Sequence, residues 1–149
     1  MKTLFETNRI NGMELPNRFV RSATWEGMAT AEGAVTPRLI ETMTRLAKGG
    51  VGLIISSHTY VSREGQATPW QLGIYKDELI PGLKRMAEAV HACGGRIVLQ
   101  LAHAGVFAVE SLMDHPPLAV SNDEVLAESP RREITLQDIT ELVADFADG

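Results

Sequence analysis

Polar side chains end each of three apolar segments in this chain, and they are the residues whose types could do chemistry. Gln100 interrupts the segment RIVLQLAHAG (residues 96–105), and Ser56 to Thr59 follow the segment Val51–Ile55. A third group, Ser22 to Trp25, ends the first apolar segment. Carboxamide, hydroxyl and imidazole groups bind ligands through hydrogen bonds. Because α/β proteins place ligands at the carboxyl ends of parallel strands, these groups predict a ligand site there.

Three strands are needed to position these groups. We predict the first over Arg18–Thr24, the second over Val51–Ile55 and the third from Arg96 to Leu101. The third is apolar and partly β-branched apart from Gln100, a pattern typical of a strand covered on both faces. Buried polar groups usually find partners within the protein, so the alternative role for Gln100 is a hydrogen bond to a neighbouring loop.

Three helices are predicted between and after the strands. The first begins at Thr36-Pro37, with threonine as N-cap, and ends at Gly49-Gly50. The second is capped by Asp77 and ends at Gly94-Gly95, and the loop before it, Val61–Lys76, is predicted to be a surface excursion. The last begins after Thr135, where Asp138 completes a near capping box.

The order of these elements predicts an α/β fold with a parallel sheet. A β-hairpin around Asn11-Gly12 (residues 8–18) precedes about three alternating strand–helix units. The long loops follow the strands, whereas the returns from helix to strand are short and rich in glycine. This asymmetry is typical of a (β/α)8 TIM barrel, which needs about 250 residues. We therefore predict the N-terminal part of such a barrel; a flavodoxin-like open sheet is the alternative, although it needs about five strands.

Composition limits the classes of partner. The chain is 44% hydrophobic and 22% charged, as expected for a globular domain, and no apolar segment approaches the roughly 20 residues of a membrane span. A net charge of −5 without a basic block argues against nucleic acid or an anionic membrane surface as partner. Cys93 is the single cysteine, which excludes an internal disulfide and favours a cytoplasmic location.

Four segments carry a resemblance to a known family. They are LFETNRINGMELPNRFVRSAT (4–24), GGVGLII (49–55), LGIYKDELIPGLKRMAEAVHACGG (72–95) and QLAHAG (100–105). Their order and spacing resemble the Old Yellow Enzyme family of FMN-dependent NADH:flavin oxidoreductases, in particular its dienoyl-CoA reductase-like branch. The resemblance implies that residues 1–149 are the N-terminal part of a single FMN-binding TIM-barrel domain that is incomplete.

The resemblance also implies a cofactor site. In that family the flavin lies over the C-terminal mouth of the barrel, and the glutamine of the third strand, Gln100 here, hydrogen-bonds the pyrimidine edge of the ring. A carboxamide both donates and accepts, which matches the alternating acceptors and N–H of that edge. The other positions implied to contact the ring are Ala23, Thr24, Trp25 and His58, with Ser57 as the alternative to His58. Trp25 and Val106 depart from the family pattern, which often has a smaller residue and an arginine there.

The implied activity is reduction of an activated alkene. An enzyme of this family takes hydride from NADH or NADPH onto FMN and delivers it to an α,β-unsaturated carbonyl compound or an enoyl thioester, so a small-molecule substrate is expected. The family's substrate-binding residues and its groups for the FMN phosphate would lie beyond residue 149, so no catalytic residue is assigned. The alternative is a truncated half-barrel without activity alone, which self-associates or complements a second half through open strand edges.

Two other features could suggest chemistry, a pair of histidines and a glutamate, but we predict neither a metal site nor a catalytic acid or base. His58 and His103 could suggest a metal pair, but no carboxylate or cysteine lies at ligand spacing around them, so we predict no metal site. Glu26 could act as an acid or base, but we predict a solvated loop carboxylate.

Overall fold

A hairpin precedes the central sheet, as predicted. The computed structural model describes residues 3–113, 115–121 and 130–149. Strands β1 (Asn8–Ile10) and β2 (Met13–Leu15) pair antiparallel. Asn11 between them has a φ of 50°, a left-handed conformation that asparagine tolerates. The Asn11-Gly12 turn therefore lies where the sequence predicted it.

The central sheet has three parallel strands in the order in which they occur along the chain. They are β3 (Val20–Arg21), β4 (Leu53–Tyr60) and β5 (Ile97–Ala102). Helices α1 (Pro37–Lys48) and α2 (Ile80–Ala92) connect consecutive strands and pack against each other on one face of the sheet. The core lies between this face and the helices, and its fully buried side chains include Leu39, Met43, Ile54, Met86 and Val90.

The opposite face of the sheet is open in the described part of the chain, so within these residues the third strand is covered on one face only and not on both as predicted. Side chains alternate along β5: Ile97 and Leu99 pack against the core on the helix side. Val98 is 36% exposed, and Gln100 on the same face is also exposed. We call this surface, defined by Val98, Gln100 and His58, the open face.

Strand β3 is shorter than the predicted Arg18–Thr24, for a reason that lies in its own sequence. The ladder begins with Leu53 N–H donating to Phe19 O and ends at Arg21, whose Nη1 donates to the Ile55 carbonyl at 2.9 Å. In a regular parallel ladder, that carbonyl would accept from the backbone two residues further along β3. The arginine side chain takes the place of the backbone, and the strand ends.

Strand β4 is longer than the predicted Val51–Ile55, because its polar residues are part of the strand. Ser56, Ser57 and Thr59 are buried within it. The hydroxyls of Ser56 and Thr59 both donate to the Ser57 carbonyl, at 2.8 and 3.2 Å. These local hydrogen bonds remove most of the cost of burying hydroxyl groups, so polarity did not mark the end of the strand.

The loop between β4 and α2 is also more buried than predicted. Gln66, Gln71 and Leu72 each expose 2% or less of their surface. Backbone bonds join the loop to the end of β4, since Tyr60 N–H donates to Leu72 O and Ile74 N–H donates to Tyr60 O, each at 3.0 Å. The loop is therefore a packed extension of the sheet edge.

Two of the three predicted helix caps are confirmed. Thr36 Oγ1 accepts from Leu39 N–H at 3.3 Å at the start of α1. Asp77 does not cap α2, because the chain enters that helix through a 3-10 turn (Asp77–Leu79) in which no side chain forms the cap. The backbone forms that turn, with Leu79 N–H donating to the Lys76 carbonyl at 3.1 Å.

A short parallel pair and a third helix follow the sheet. Strands β6 (Leu118–Ala119) and β7 (Arg132–Glu133) were not predicted, since two residues are too few to show a period. Helix α3 (Leu136–Asp148) begins with the predicted capping box. Hydrogen bonds from Arg132 and Thr135 hold the pKa of the Asp138 carboxyl well below its usual range. Among the described residues, none of the helices has the length and apolar character that crossing a bilayer requires.

Candidate functional site

The carboxyl ends of β4 and β5 bring two of the predicted site residues together. His58 and Gln100 are direct partners in the parallel register. Because paired residues of neighbouring strands point to the same face, both side chains lie on the open face. Neither the imidazole of His58 nor the carboxamide of Gln100 hydrogen-bonds another described residue. The alternative role for Gln100, a bond to a neighbouring loop, is therefore wrong within the described part of the chain.

An irregularity in β4 produces this pairing. Ile54 and Ile55 pair with Ile97 and Val98, but the next pair is His58 with Gln100, so β4 has one residue more than β5 over this stretch. This is a β-bulge at Ser56 and Ser57, and bulges commonly re-aim side chains next to sites. At the bulge, Gln100 N–H donates to the Ser56 hydroxyl at 3.2 Å.

Arg21 joins the end of β3 to the bulge and to the loop that follows β3. Its Nη1 donates to the Ile55 carbonyl at 2.9 Å, and its Nη2 donates to the Thr24 carbonyl at 3.2 Å. The same Nη2 forms an ion pair with Glu26. Arg21 thus fixes the predicted contact segment, Ala23 to Trp25, against β4.

Glu26 is a buried ion-pair partner, which corrects its prediction as a solvated loop carboxylate. Its side chain is 7% exposed and that of Arg21 is 17% exposed. A carboxylate can be buried at acceptable cost only when a charged partner and hydrogen bonds compensate for the lost water. Its role among the described residues is therefore to hold the Arg21 guanidinium.

The loop after β3 presents an aromatic side chain beside these strand ends. Trp25 is 46% exposed. Its indole folds back over Gly27, which has a φ of 62°, and a Cβ at Gly27 would lie 3.0 Å from the ring. Thr24 is exposed, and its hydroxyl donates to the Ser22 carbonyl at 3.1 Å. Ala23 is partly exposed between them.

A buried glutamine in the following loop supports His58 from behind. The Nε2 of Gln71 donates to the His58 carbonyl at 3.2 Å, and its Oε1 accepts from the backbone of Ala67 and Thr68. Gln71 is 1% exposed. The side chain therefore ties the backbone of His58 to the packed loop while leaving the imidazole free.

His103, directly after β5, shapes the turn that follows Gln100. Its Nδ1 accepts from Gly105 N–H at 3.0 Å, so the neutral ring carries its proton on Nε2. That Nε2 is buried without a partner among the described residues, and the ring edge packs against Gly65. Burial lowers the pKa of His103 from its ordinary value of 6.5, against the opposing effect of the Glu64 and Asp145 carboxylates.

Lowering the pH below about 6.5 is expected to destabilise the fold through His103, because the unfolded chain takes up this proton before the folded chain does. The stabilisation that depends on neutral His103 is complete above that pH, and it is lost as the pH falls toward the lower pKa of the folded state. Urea unfolding between about pH 5 and 8 measures it. His103→Asn keeps an acceptor for Gly105, and an equal pH slope in this variant would contradict the assignment.

The open face fits the flavin that the resemblance implies. The free groups there are a carboxamide, which offers a donor and an acceptor, and an imidazole beside it, both without partners among the described residues. This donor set suits a planar heterocycle whose edge alternates acceptors with an N–H. By contrast, no group of three or more His, Cys, Asp or Glu side chains in the described ranges could hold a metal ion.

Sequence reasoning missed three residues that hold the site: Arg21, Ser56 and Gln71. An arginine inside a predicted buried strand was a usable signal, since a buried charge requires a partner. The hydroxyl of Ser56 and the carboxamide of Gln71 gave no such signal, because serine and glutamine are equally common in loops.

Comparison with known proteins supports the family. Residues 3–149 match the model of the NADH:flavin oxidoreductase / NADH oxidase family. A metal reductase of Desulforamulus reducens is 38% identical over 149 residues, which cover 99% of this chain and 22% of that protein. An NADPH dehydrogenase of Listeria welshimeri is 33% identical over 147 residues, which cover 98% of this chain and 43% of that protein. The chain thus spans less than half the length of these curated relatives.

A solved structure supports the fold. The old yellow enzyme homologue from Zymomonas mobilis matches with a TM-score of 0.85 and 27% identity, over 99% of this chain and 44% of that one. Old yellow enzymes are TIM barrels, so the parallel strands and connecting helices are the N-terminal part of a (β/α)8 barrel, as predicted. The family uses FMN, with NADH or NADPH as reductant. This chain belongs to the NADH:flavin oxidoreductase / NADH oxidase family.

Proposed function

We propose that this chain forms the ring-binding wall of the FMN site in an NAD(P)H-dependent oxidoreductase of the Old Yellow Enzyme type. The observation that carries the proposal is the free carboxamide of Gln100 beside the free imidazole of His58 on the open face. Both lie at the carboxyl ends of parallel strands, where barrel enzymes build their sites.

Each site residue has a proposed role toward the cofactor. Gln100 would hydrogen-bond the polar edge of the ring, and His58 would contact the ring beside it. The backbone of Ala23 and Thr24, in the loop after β3, would contact the ring, as would Trp25 in the same loop. Bound FMN supplies electron transfer between the nicotinamide reductant and an acceptor. The protein supplies the positions of these polar groups.

The proposed acceptors are activated alkenes, namely α,β-unsaturated carbonyl compounds or enoyl thioesters. This part of the proposal rests on the family. The reductant is NADH or NADPH, and the single cysteine is compatible with the predicted cytoplasmic location. None of the described residues is assigned to the substrate.

Titration with FMN tests the proposal. We expect the fluorescence of FMN to change as the purified chain is added. Gln100→Leu should raise the dissociation constant for FMN about tenfold, the effect of one or two lost hydrogen bonds. Gln137→Leu is the matched control, because the Gln137 carboxamide bonds Glu141 on α3. Equal binding by the wild-type and Gln100→Leu chains would contradict the assigned role.

A second candidate function is association with further strands through the open edge of the sheet. An apolar groove beside β5 favours it. A groove of about 420 Å³ lies between α2 and β5, lined mainly by Ile80, Leu83, Ala87, Ile97 and Leu99. Ile80 is 50% exposed there. We propose that further strands cover this groove, from a second copy of the chain or a second barrel half. Sedimentation velocity would show a larger species than the 16.2 kDa monomer, reduced in Ile80→Lys.

A further inference from the structure

We propose that Ser56 is a positioning residue for the cofactor face: its hydroxyl holds the β4 bulge in the register that places His58 beside Gln100. The inference rests on the proposed function for its cofactor, but its structural part concerns only residues of this chain. Ser56 is fully buried and has no surface from which to contact a ligand itself.

The register shows why the bulge matters. Ile55 pairs with Val98, so an unbulged ladder would pair Ser57 with Gln100 and His58 with Leu101. Because side chains alternate with a period of two, His58 would then point to the opposite face, toward the helices. The extra residue at the bulge returns His58 to the open face.

The Ser56 hydroxyl replaces a backbone acceptor at this point. Ile54 N–H donates to the Arg96 carbonyl at 2.8 Å, and regular alternation from there would give Gln100 N–H the backbone carbonyl of Ser56. Instead, Gln100 N–H donates to Ser56 Oγ at 3.2 Å, while that hydroxyl donates to Ser57 O at 2.8 Å. One side chain therefore satisfies the ladder and stabilises the bulge.

Two other side chains hold the backbone on either side of the bulge. Arg21 donates to the Ile55 carbonyl at its start, and Gln71 donates to the His58 carbonyl at its end. These bonds hold the backbone on both sides of Ser56 but make no contact with β5. Among the described side chains, the Ser56 hydroxyl is the one whose hydrogen bond joins β4 to β5 at the pairing of His58 with Gln100.

Nuclear Overhauser effects between residues 58 and 100 test the register in the full 149-residue chain. We expect them in the wild type. In Ser56→Ala, we expect them to be lost or replaced by effects between Ser57 and Gln100. Thr59→Val is the matched control, because Thr59 is equally buried and its hydroxyl donates to the same Ser57 carbonyl but, among the described residues, forms no hydrogen bond to β5. Unchanged effects between residues 58 and 100 in Ser56→Ala would overturn the proposal.

FMN titration of the same variants tests the consequence. We expect Ser56→Ala to raise the dissociation constant about tenfold and to change the visible circular dichroism of the bound flavin, while Thr59→Val does neither. If the wild type binds FMN and Ser56→Ala binds it with equal affinity and the same spectrum, the positioning role is wrong and the proposed function stands. If the wild type does not bind FMN, the proposed function fails for this chain, and the register measurement still decides the role of Ser56.

Ser56→Thr decides the matter if Ser56→Ala does not fold. Threonine keeps the hydroxyl, so the contacts between residues 58 and 100 and the FMN affinity should persist within about threefold of the wild type. A folded Ser56→Thr chain that loses these contacts would overturn the proposal, because the hydroxyl would then not be what holds the register.

Discussion

Replacing Arg21 by methionine is expected to lower the free energy of unfolding by about 3 kcal/mol, because it leaves the Glu26 carboxylate buried without its partner. The substitution also removes the bonds to the carbonyls of Ile55 and Thr24. Methionine fills much of the same space, so the loss measures charge and hydrogen bonding more than packing. Urea unfolding monitored by circular dichroism gives the free energy.

The control for Arg21 is another arginine that pairs with a glutamate. Arg63 pairs with Glu32, but these side chains are 47% and 58% exposed, so Arg63→Met should cost much less. Removing both buried partners in Arg21→Met/Glu26→Leu should restore part of the lost stability. A loss in Arg21→Met no larger than that in Arg63→Met would show that the buried pair does not hold the loop after β3.

Gly33→Ala is expected to lower the free energy of unfolding by about 2–5 kcal/mol, because two unfavourable effects coincide there. Gly33 has a φ of 81°, which an alanine adopts only at a cost of roughly 1–2 kcal/mol. A Cβ would also lie 2.5 Å from the Tyr60 hydroxyl and 2.9 Å from the backbone nitrogen of Gly73. Such overpacking adds about 1–3 kcal/mol. Thermal and urea unfolding of the variant measure the total.

Gly50→Ala separates the two effects. Gly50 has nearly the same φ, 82°, but nothing lies within 4 Å of an added Cβ. Gly50→Ala should therefore lower the free energy of unfolding by about 1–2 kcal/mol, the cost of the left-handed backbone conformation alone. The difference between the variants measures how tightly the loop after β3 packs against the end of β4. Equal costs would mean that this packing yields easily and does not fix the two loops.

Local signals predicted the elements of this fold well. The capping bonds of Thr36 and of the pair Thr135 with Asp138 join residues three positions apart, so the local sequence contains both partners of each cap. The Asn11-Gly12 turn is equally local, because it joins two strands that are next to each other in the sequence. The alternation of strands and helices followed from these boundaries. The family resemblance then predicted the flavin, which the family match confirms, and five contact positions, which stay predictions.

The sequence could not predict what holds the site together, because those interactions are not local. Arg21 ends β3 through a carbonyl 34 residues away, and Gln100 meets a hydroxyl 44 residues away. The bulge at Ser56 is a mismatch between two strands, so neither strand shows it alone. The exposure of Val98 depends on which strands lie beside β5, which the apolar pattern of β5 does not reveal.

Parallel titrations of the 149-residue chain with FMN and with riboflavin test the central claim most directly. If the three strand ends bind the isoalloxazine ring and no described residue binds the phosphate, both flavins should bind at one per chain with dissociation constants within about threefold of each other. Fluorescence quenching and visible circular dichroism report the binding. Absence of binding by either flavin would contradict the claim that these strand ends form a ring-binding wall.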